Sequence, residues 1–292
     1  MSLSELLQSR EILSTGTSSG LSDLKNRILD EGFAWYARHP EETEIIVSNL
    51  NLFSLPTDNG FIGKVQKGIL LHYYEKVLPL CLSPQKYYEY LMERVDGNEA
   101  MEMLKKKRVN SEGTLLTISH FGAIELITPF IAAQPNTMNS VLRFTTQHFS
   151  DVAASYAERL HNEAGFGRIN FIEIGKPGVP AAMEMAAALR RCEIISTVFD
   201  EETSYSVPAE LLGKKVNGGS GLDKLISYTR SPMHIFNASM IRSENETYTL
   251  HFDEIPVDGV SSIQQMYNSL EKQILAHPDQ WYFLHEEIPV IK

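Results

Sequence analysis

Thr114-Leu-Leu-Thr-Ile-Ser-His-Phe-Gly-Ala-Ile-Glu125 is the stretch that decides the fold. Its first six residues, Thr114 to Ser119, have the hydrophobic and β-branched character of a strand. Gly122 lets another molecule approach the backbone closely, and the residues from Ala123 to Ile127 have the pattern of a helix that begins at once. A strand that passes directly into a helix is typical of α/β sheets, so the sequence predicts an α/β core around this junction.

Strand and helix patterns continue to alternate after this junction. The further strands are predicted at 140–144, 169–174, 194–199, 234–238 and 248–252. The helices are predicted at 149–164, 177–191, 222–229, 262–276 and 278–286. This rhythm predicts the fold class α/β, with a mixed central sheet flanked by helices.

The residues before the junction predict a helical N-terminal portion. Apolar residues recur at three- and four-residue spacing in 21–38, 41–50, 61–82 and 84–95. The basic run Lys105 to Arg108 closes a further helix, and Asn110 to Gly113 supplies a turn. No flexible linker separates the two parts. We therefore expect a single domain over residues 1–292, with a helical portion at 1–108 and an α/β core at 109–292.

Composition excludes several classes of protein. The chain of 292 residues carries a formal net charge of -11, which disfavours nucleic-acid binding because that needs a basic face. The two cysteines, Cys81 and Cys192, suggest neither a disulfide framework nor a cysteine-based zinc site. The N-terminus lacks the pattern of a signal peptide, and no apolar run reaches the roughly 18 to 20 residues that span a bilayer. We expect a cytoplasmic, soluble protein with at most peripheral membrane contact.

His120 and Glu125 are the candidate catalytic residues. A carboxylate that binds one imidazole nitrogen fixes the tautomer and leaves the other nitrogen free to take a proton from an alcohol or amine. On one helix, an offset of five residues would place the side chains about 140° apart, so His120 must precede the helix for the pair to meet. The alternative is a structural histidine at a sheet edge and a surface carboxylate in the first helical turn.

The His-x4-Glu pattern alone is weak evidence for a catalytic pair, because His39 and Glu44 have the same spacing. His39 lies between helices beside a proline, whereas His120 follows a strand, where ligand sites of α/β sheets gather. Two other motifs are rejected. Gly16-Thr-Ser-Ser-Gly20 has no strand before it, as a nucleophile elbow requires, and Asn217 to Leu222 is predicted to be a flexible loop entering a helix.

The segment His120-Phe-Gly-Ala-Ile-Glu125 resembles the His-x4-Asp/Glu motif of the lysophospholipid acyltransferase superfamily, particularly the late acyltransferases of lipid A biosynthesis. Similar blocks follow in order. Arg143 ends a strand before a long helix, Asp200 ends the strand from Ile194, and Pro278-Asp-Gln-Trp281 resembles the C-terminal Pro-x-Gln-Trp segment. The resemblance covers residues 65 to 292.

The resemblance implies transfer of an acyl group from a thioester to a hydroxyl or amine. The donor would be acyl-coenzyme A or the phosphopantetheine thioester of acyl carrier protein, with no permanently bound cofactor and no metal. His120 is the expected base and Glu125 its partner, while Gly122, Arg143 and Asp200 are expected to bind substrate. Arg143 could instead be a surface residue, and Asp200 a cap.

This chain departs from the lipid A branch because it lacks the usual membrane-anchoring helix and basic surface. We therefore expect a soluble member that acylates a small-molecule or carrier-bound acceptor. The basic run Lys105 to Arg108 either docks an acidic carrier protein or is an ordinary helix C-terminus. Two other functions stay open: a thioesterase-like hydrolase, and a noncatalytic module that binds a carrier or ligand on the same fold.

Overall fold

The computed structural model describes residues 2–108, 112–143, 147–175, 180–201, 206–219, 221–229, 233–256, 261–286, 288 and 290–291. The N-terminal portion is helical, as predicted. Its helices are α1 (Leu3–Leu7), α2 (Arg10–Ser18), α3 (Leu21–Arg38), α4 (Pro40–Leu52), α5 (Asn59–Cys81), α6 (Pro84–Arg94) and α7 (Asn98–Lys107). Helices α1 and α2 were not predicted. Gly16 lies inside α2, which confirms that it is no nucleophile elbow.

Helix α6 shows how sequence sets these boundaries. The Ser83 hydroxyl accepts a hydrogen bond from the Lys86 N–H, and Pro84 occupies the first helical turn, where its missing N–H costs nothing. Tyr87 and Leu91 are buried as predicted, whereas Met92 is 39% exposed and not in the core. The helix therefore buries a narrower face than the sequence predicts.

A seven-stranded, mostly parallel sheet forms the core and confirms the predicted fold class. Its spatial order is β1-β9-β8-β2-β5-β3-β4, and only the pair of β8 and β9 is antiparallel. The strands are β1 (Val95–Asp96), β2 (Gly113–Gly122), β3 (Met138–Leu142), β4 (Ile169–Glu173), β5 (Ile194–Val198), β8 (Met233–Arg242) and β9 (Tyr248–Glu254). Two further strands, β6 (Ser206–Leu211) and β7 (Lys214–Gly219), form a separate hairpin.

Helices connect the strands and close the chain. They are α8 (Ile124–Ala133), α9 (Gln147–Ala164), α10 (Ala181–Arg190), α11 (Gly221–Thr229) and α12 (Ser262–Ala276). One cluster of buried side chains includes residues of the N-terminal helices and of the sheet. Among the described helices, none is both long and apolar enough to cross a membrane.

Two expectations about the C-terminal part were wrong. The segment 217–222 was predicted to be a flexible loop, but Asn217 to Gly219 lie in β7, where Gly218 packs so closely on α12 that a Cβ would come within 2.7 Å of Ile263. Ser220 lies outside the described residues, and Gly221 begins α11. The predicted helix over 278–286 is instead two 3₁₀ turns, Pro278–Gln280 and Tyr282–His285. They are separated by Trp281, whose extended backbone interrupts the helix.

Candidate active site

His120 lies in an irregular stretch at the end of β2. Strand β2 pairs in register with β8 as far as Ile118, and pairing resumes only where Gly122 faces Met240, after a shift in register. The Ala123 N–H then donates to the Met240 carbonyl at 2.7 Å. Such bulges redirect side chains and occur beside active sites. The strand thus extends three residues beyond the predicted end at Ser119, and His120 lies within it.

Gly122 is required by the backbone at this bulge. Its φ angle is +65°, a left-handed conformation that favours glycine, and an added Cβ would lie 2.1 Å from the Met240 carbonyl oxygen. Its own carbonyl accepts a hydrogen bond from the Arg242 guanidinium at 2.7 Å. The structure therefore gives Gly122 a packing role, while its expected contact with substrate stays a prediction.

Asp200 is the carboxylate that binds His120. It follows β5, which lies beside β2 in the parallel sheet, so both residues reach the same sheet edge. One Asp200 carboxylate oxygen accepts a hydrogen bond from the backbone N–H of His120 at 2.7 Å, and the other oxygen lies 3.0 Å from the ring atom Nδ1 of His120. The Asp200 side chain is only 3% exposed. Asp200 was predicted at the site, but as a substrate-binding residue.

This geometry fixes the tautomer of His120. An ionised carboxylate can only accept, so Nδ1 carries the proton and Nε2 is left with a lone pair. Nε2 lies 3.5 Å from a Glu201 carboxylate oxygen. The Phe283 ring stacks on the imidazole with centroids 4.4 Å apart. Asp200 therefore fixes the orientation of the His120 ring through Nδ1, and in the neutral ring Nε2 can accept a proton.

Electrostatics favour the protonated form of His120. Burial lowers its pKa, but the charge of Asp200 and the hydrogen bond that His120 donates to it outweigh burial, with smaller contributions from Glu201 and Glu125. The net effect raises the pKa above the ordinary histidine value. The imidazolium that forms after proton abstraction is thereby stabilised.

The variant Asp200→Asn should lower the pKa of His120. The asparagine keeps the shape of the side chain but removes the negative charge, and burial, which favours neutral imidazole, then dominates. An NMR titration of the histidine ring should show His120 titrating above about pH 6.5 in the wild type and below it in the variant. An unchanged titration would show that Asp200 does not control the base.

Glu125 does not form the predicted hydrogen bond to His120, because Asp200 occupies Nδ1. It lies in the first turn of α8, and its Oε1 atom is 3.6 Å from Nε2 of His72, on α5. Burial raises the Glu125 pKa, with Lys76 and His120 opposing the shift. Its side chain is nevertheless 36% exposed, because it lines a cavity that is partly open to solvent. Glu125 thus acts on His120 through charge rather than through contact.

Two basic features lie away from His120. Arg143 is exposed just after β3 and is not among the described residues that line the two cavities beside His120, which are described below. In the basic run, Lys105 and Lys107 form ion pairs with Glu102 and Glu254. Binding of substrate or carrier protein by these side chains therefore stays a prediction.

His120 separates two chambers. The first, which we call the acidic chamber, has a volume of about 370 Å³ and includes among its lining residues Asp200, Glu201, Asn217, Tyr267 and Glu286. The second, the inner chamber, has a volume of about 570 Å³ and lies between the sheet and helices α5, α6, α8 and α9. Its apolar lining includes Ile124, Val141, Leu142, Ala157, Leu160 and Ile169. Two substrates could therefore meet at one histidine.

The C-terminal segment completes the site and explains the Pro-x-Gln-Trp sequence. The Gln280 amide binds both the N–H and the carbonyl of Arg242, each at 3.0 Å, and fastens the segment to β8. Phe121 and Trp281 form a β-bridge, which brings Tyr282 and Phe283 onto His120. Sequence reasoning missed these two aromatic residues, although they follow the motif directly.

His72 was also missed. It lies among aromatic residues on α5 at helical spacing, a pattern usually due to core packing. Its proximity to Glu125 arises only when α5 packs on α8. No local sequence signal could have shown this.

Comparison with known proteins identifies the family of the chain. No curated protein matches the chain. Residues 85–288, more than half of the chain, match the family described as bacterial lipid A biosynthesis acyltransferase. His120, Glu125, Arg143, Asp200 and Trp281 lie within the matched range. The chain therefore belongs to the bacterial lipid A biosynthesis acyltransferase family and is an acyltransferase.

Proposed function

We propose that this enzyme transfers an acyl group from a thioester to a hydroxyl or amine acceptor, with His120 as general base. The donor is the phosphopantetheine thioester of acyl carrier protein or acyl-coenzyme A. One observation supports this most strongly: Asp200 binds Nδ1 of His120, so that Nε2 faces the acidic chamber, where a Glu201 carboxylate oxygen lies 3.5 Å away. The acyl chain occupies the inner chamber, and the acceptor occupies the acidic chamber.

The reaction requires no oxidant or metal. His120 Nε2 takes a proton from the acceptor as its oxygen or nitrogen bonds to the thioester carbonyl carbon. The carbon–sulfur bond then breaks, and its electron pair leaves with sulfur. The imidazolium returns the proton to the thiolate, so the products are an ester or amide and a free thiol. Asp200 stabilises the imidazolium during this cycle.

The other expected residues have supporting roles in this proposal. Glu125 stabilises positive charge on His120 through space, consistent with its effect on the His120 pKa. Gly122 keeps the backbone beside the reacting carbon free of side-chain atoms. Arg143 binds an anionic group of the donor, since its forked donors suit phosphate or carboxylate.

The charge of the acidic chamber favours an amine as the acceptor. Its described lining residues include the carboxylates of Asp200, Glu201 and Glu286 but no lysine or arginine. A phosphate-bearing acceptor would be repelled there, whereas a protonated amine would be attracted. An ammonium group loses two protons in the reaction, one to the thiolate and one to solvent.

The acceptor preference can be tested with matched compounds. Purified protein is given acyl-coenzyme A and acyl-carrier-protein donors, together with amine, hydroxyl and phosphorylated acceptors of one carbon skeleton. We expect the amine to be acylated at least about 10-fold faster than the phosphorylated compound. Glu286→Gln should raise KM for the amine with little change in kcat, and Glu89→Gln, on the surface of α6, should change neither. A phosphorylated acceptor that reacts fastest would contradict an acidic acceptor site.

The same assay separates the alternative functions. Thiol release at full rate without an acceptor would favour a hydrolase, and thioester binding without turnover would favour a carrier-binding module. We also propose that the enzyme is a soluble cytoplasmic protein with at most peripheral membrane contact. Recovery only in the membrane fraction after a high-salt wash would refute that location.

A further inference from the structure

The inner chamber has polar side chains that a hydrocarbon chain alone would leave without partners. Three of its lining residues carry a buried polar atom with no hydrogen-bond partner among the described residues: His72 Nδ1, the Tyr87 hydroxyl and the Tyr156 hydroxyl. Tyr87 is 0% exposed and His72 is 4% exposed. Buried polar groups are nearly always paired, so three such groups around one chamber need an explanation.

These groups belong to different elements that converge on the chamber. His72 comes from α5, Tyr87 from α6 and Tyr156 from α9. His72 Nε2 lies 3.6 Å from a Glu125 carboxylate oxygen, just beyond hydrogen-bond distance, and Nδ1 is buried without a partner among the described residues. Burial raises the pKa of Tyr87, and the neighbouring Tyr156 and Glu125 raise it further, consistent with their proximity. The chamber therefore has a polar region within a largely apolar lining.

Hydroxyl groups on the sheet side extend this polar region. Thr128 donates to Ser196 at 3.1 Å, and Ser196 donates to Ser140 at 3.3 Å, and all three line the inner chamber. A chamber meant only for hydrocarbon would have no reason for so many donors and acceptors.

We propose that the inner chamber selects an acyl chain that carries an oxygen substituent, a hydroxyl or oxo group. The substituent hydrogen-bonds to the hydroxyls of Tyr87 and Tyr156. A hydroxyl can also donate to His72 Nδ1, which accepts when Nε2–H faces Glu125. A saturated chain fills the same volume but satisfies none of these groups. This inference rests on the proposed function, since it assumes that the acyl chain occupies this chamber.

The test compares donors of equal length. Saturated, 2-hydroxy, 3-hydroxy and 3-oxo acyl-coenzyme A and acyl-carrier-protein thioesters compete for the enzyme, and kcat/KM is measured for each. We expect at least one oxygenated chain to exceed the saturated chain by about 10-fold or more, as one paired buried polar group would give. A saturated donor that matches or exceeds every oxygenated donor would overturn the proposal.

Phenylalanine variants show which groups carry the preference. Tyr87→Phe and Tyr156→Phe should reduce the ratio between the oxygenated and saturated donors, and Tyr36→Phe should not. Tyr36 is the matched control because its hydroxyl is also buried and unpaired but lies outside both chambers. If neither chamber variant changes the ratio, the proposed contacts are wrong. Thermal unfolding checks that each variant is folded.

Binding of inert analogues keeps this test independent of turnover. Thioether analogues of the saturated and oxygenated donors cannot transfer their chain, so calorimetry measures their dissociation constants alone. Tighter binding of the oxygenated analogue, lost in Tyr87→Phe, supports the proposal even if no acceptor is known. Failure of every thioester to react, with this binding preference intact, would count against the proposed function only. Equal binding of both analogues would count against the oxygen preference.

Discussion

Replacing His120 with alanine is expected to lower kcat/KM for acyl transfer by about 10² to 10⁴-fold, the range that a general base contributes. The variant removes the Nε2 atom at the meeting point of the two chambers. It also removes the ring that Asp200 orients. Thiol release in the presence of acceptor, together with product formation, measures the loss.

His39→Ala is the matched control for this prediction. His39 begins the second His-x4-Glu match, but it stacks on Trp35 with ring centroids 4.2 Å apart and does not line the chambers. Its removal should leave kcat/KM nearly unchanged. Circular dichroism checks the folding of both variants. If His120→Ala stays as active as His39→Ala, His120 is not the base.

Replacing Arg242 with methionine is expected to lower the free energy of unfolding by about 3 to 5 kcal/mol, because it leaves a buried carboxylate without its partner. Arg242 and Glu75 form two hydrogen bonds of 2.6 Å, with side chains only 8% and 0% exposed. Arg242 also donates to the Gly122 carbonyl beside the His120 bulge. Urea unfolding measures the change.

A double variant distinguishes the effect of leaving the Glu75 carboxylate unpaired from the effect of losing the packing of the Arg242 side chain. Glu75→Leu combined with Arg242→Met removes both charges and should recover much of the stability, because buried pairs can be replaced by apolar residues at little cost. Arg159→Met, which breaks an exposed pair with Glu163 on α9, should hardly move the unfolding midpoint. A small effect of Arg242→Met alone would contradict the importance of this ion pair for the site.

Most strands of the sheet lie close to their predicted positions, because a buried strand requires a run of apolar residues that can be recognised from the local sequence alone. Strand β5, for example, covers Ile194–Val198 where 194–199 was predicted. The hairpin of β6 and β7 was missed because lysines and glycines interrupt its apolar pattern. Its glycine at 218 is explained only by the contact with α12, which lies far along the chain.

The position of the candidate site could be predicted, but its pairing could not. A histidine after a buried strand indicates the sheet edge, and His120 lies there. Which carboxylate binds it depends on strand order. Asp200 is 80 residues away in sequence and reaches His120 only because β5 is the neighbour of β2. Glu125 is closer in the sequence, but α8 directs it toward His72.

The central claim is tested most directly by following an isotopically labelled acyl group. Labelled acyl thioesters are incubated with candidate acceptors and the wild-type enzyme or His120→Ala, and all products are identified by mass spectrometry. We predict that the wild type attaches the label to an acceptor and that the variant loses this product. Label found in the acceptor equally with both proteins, or only as free acid, would contradict acyl transfer by His120.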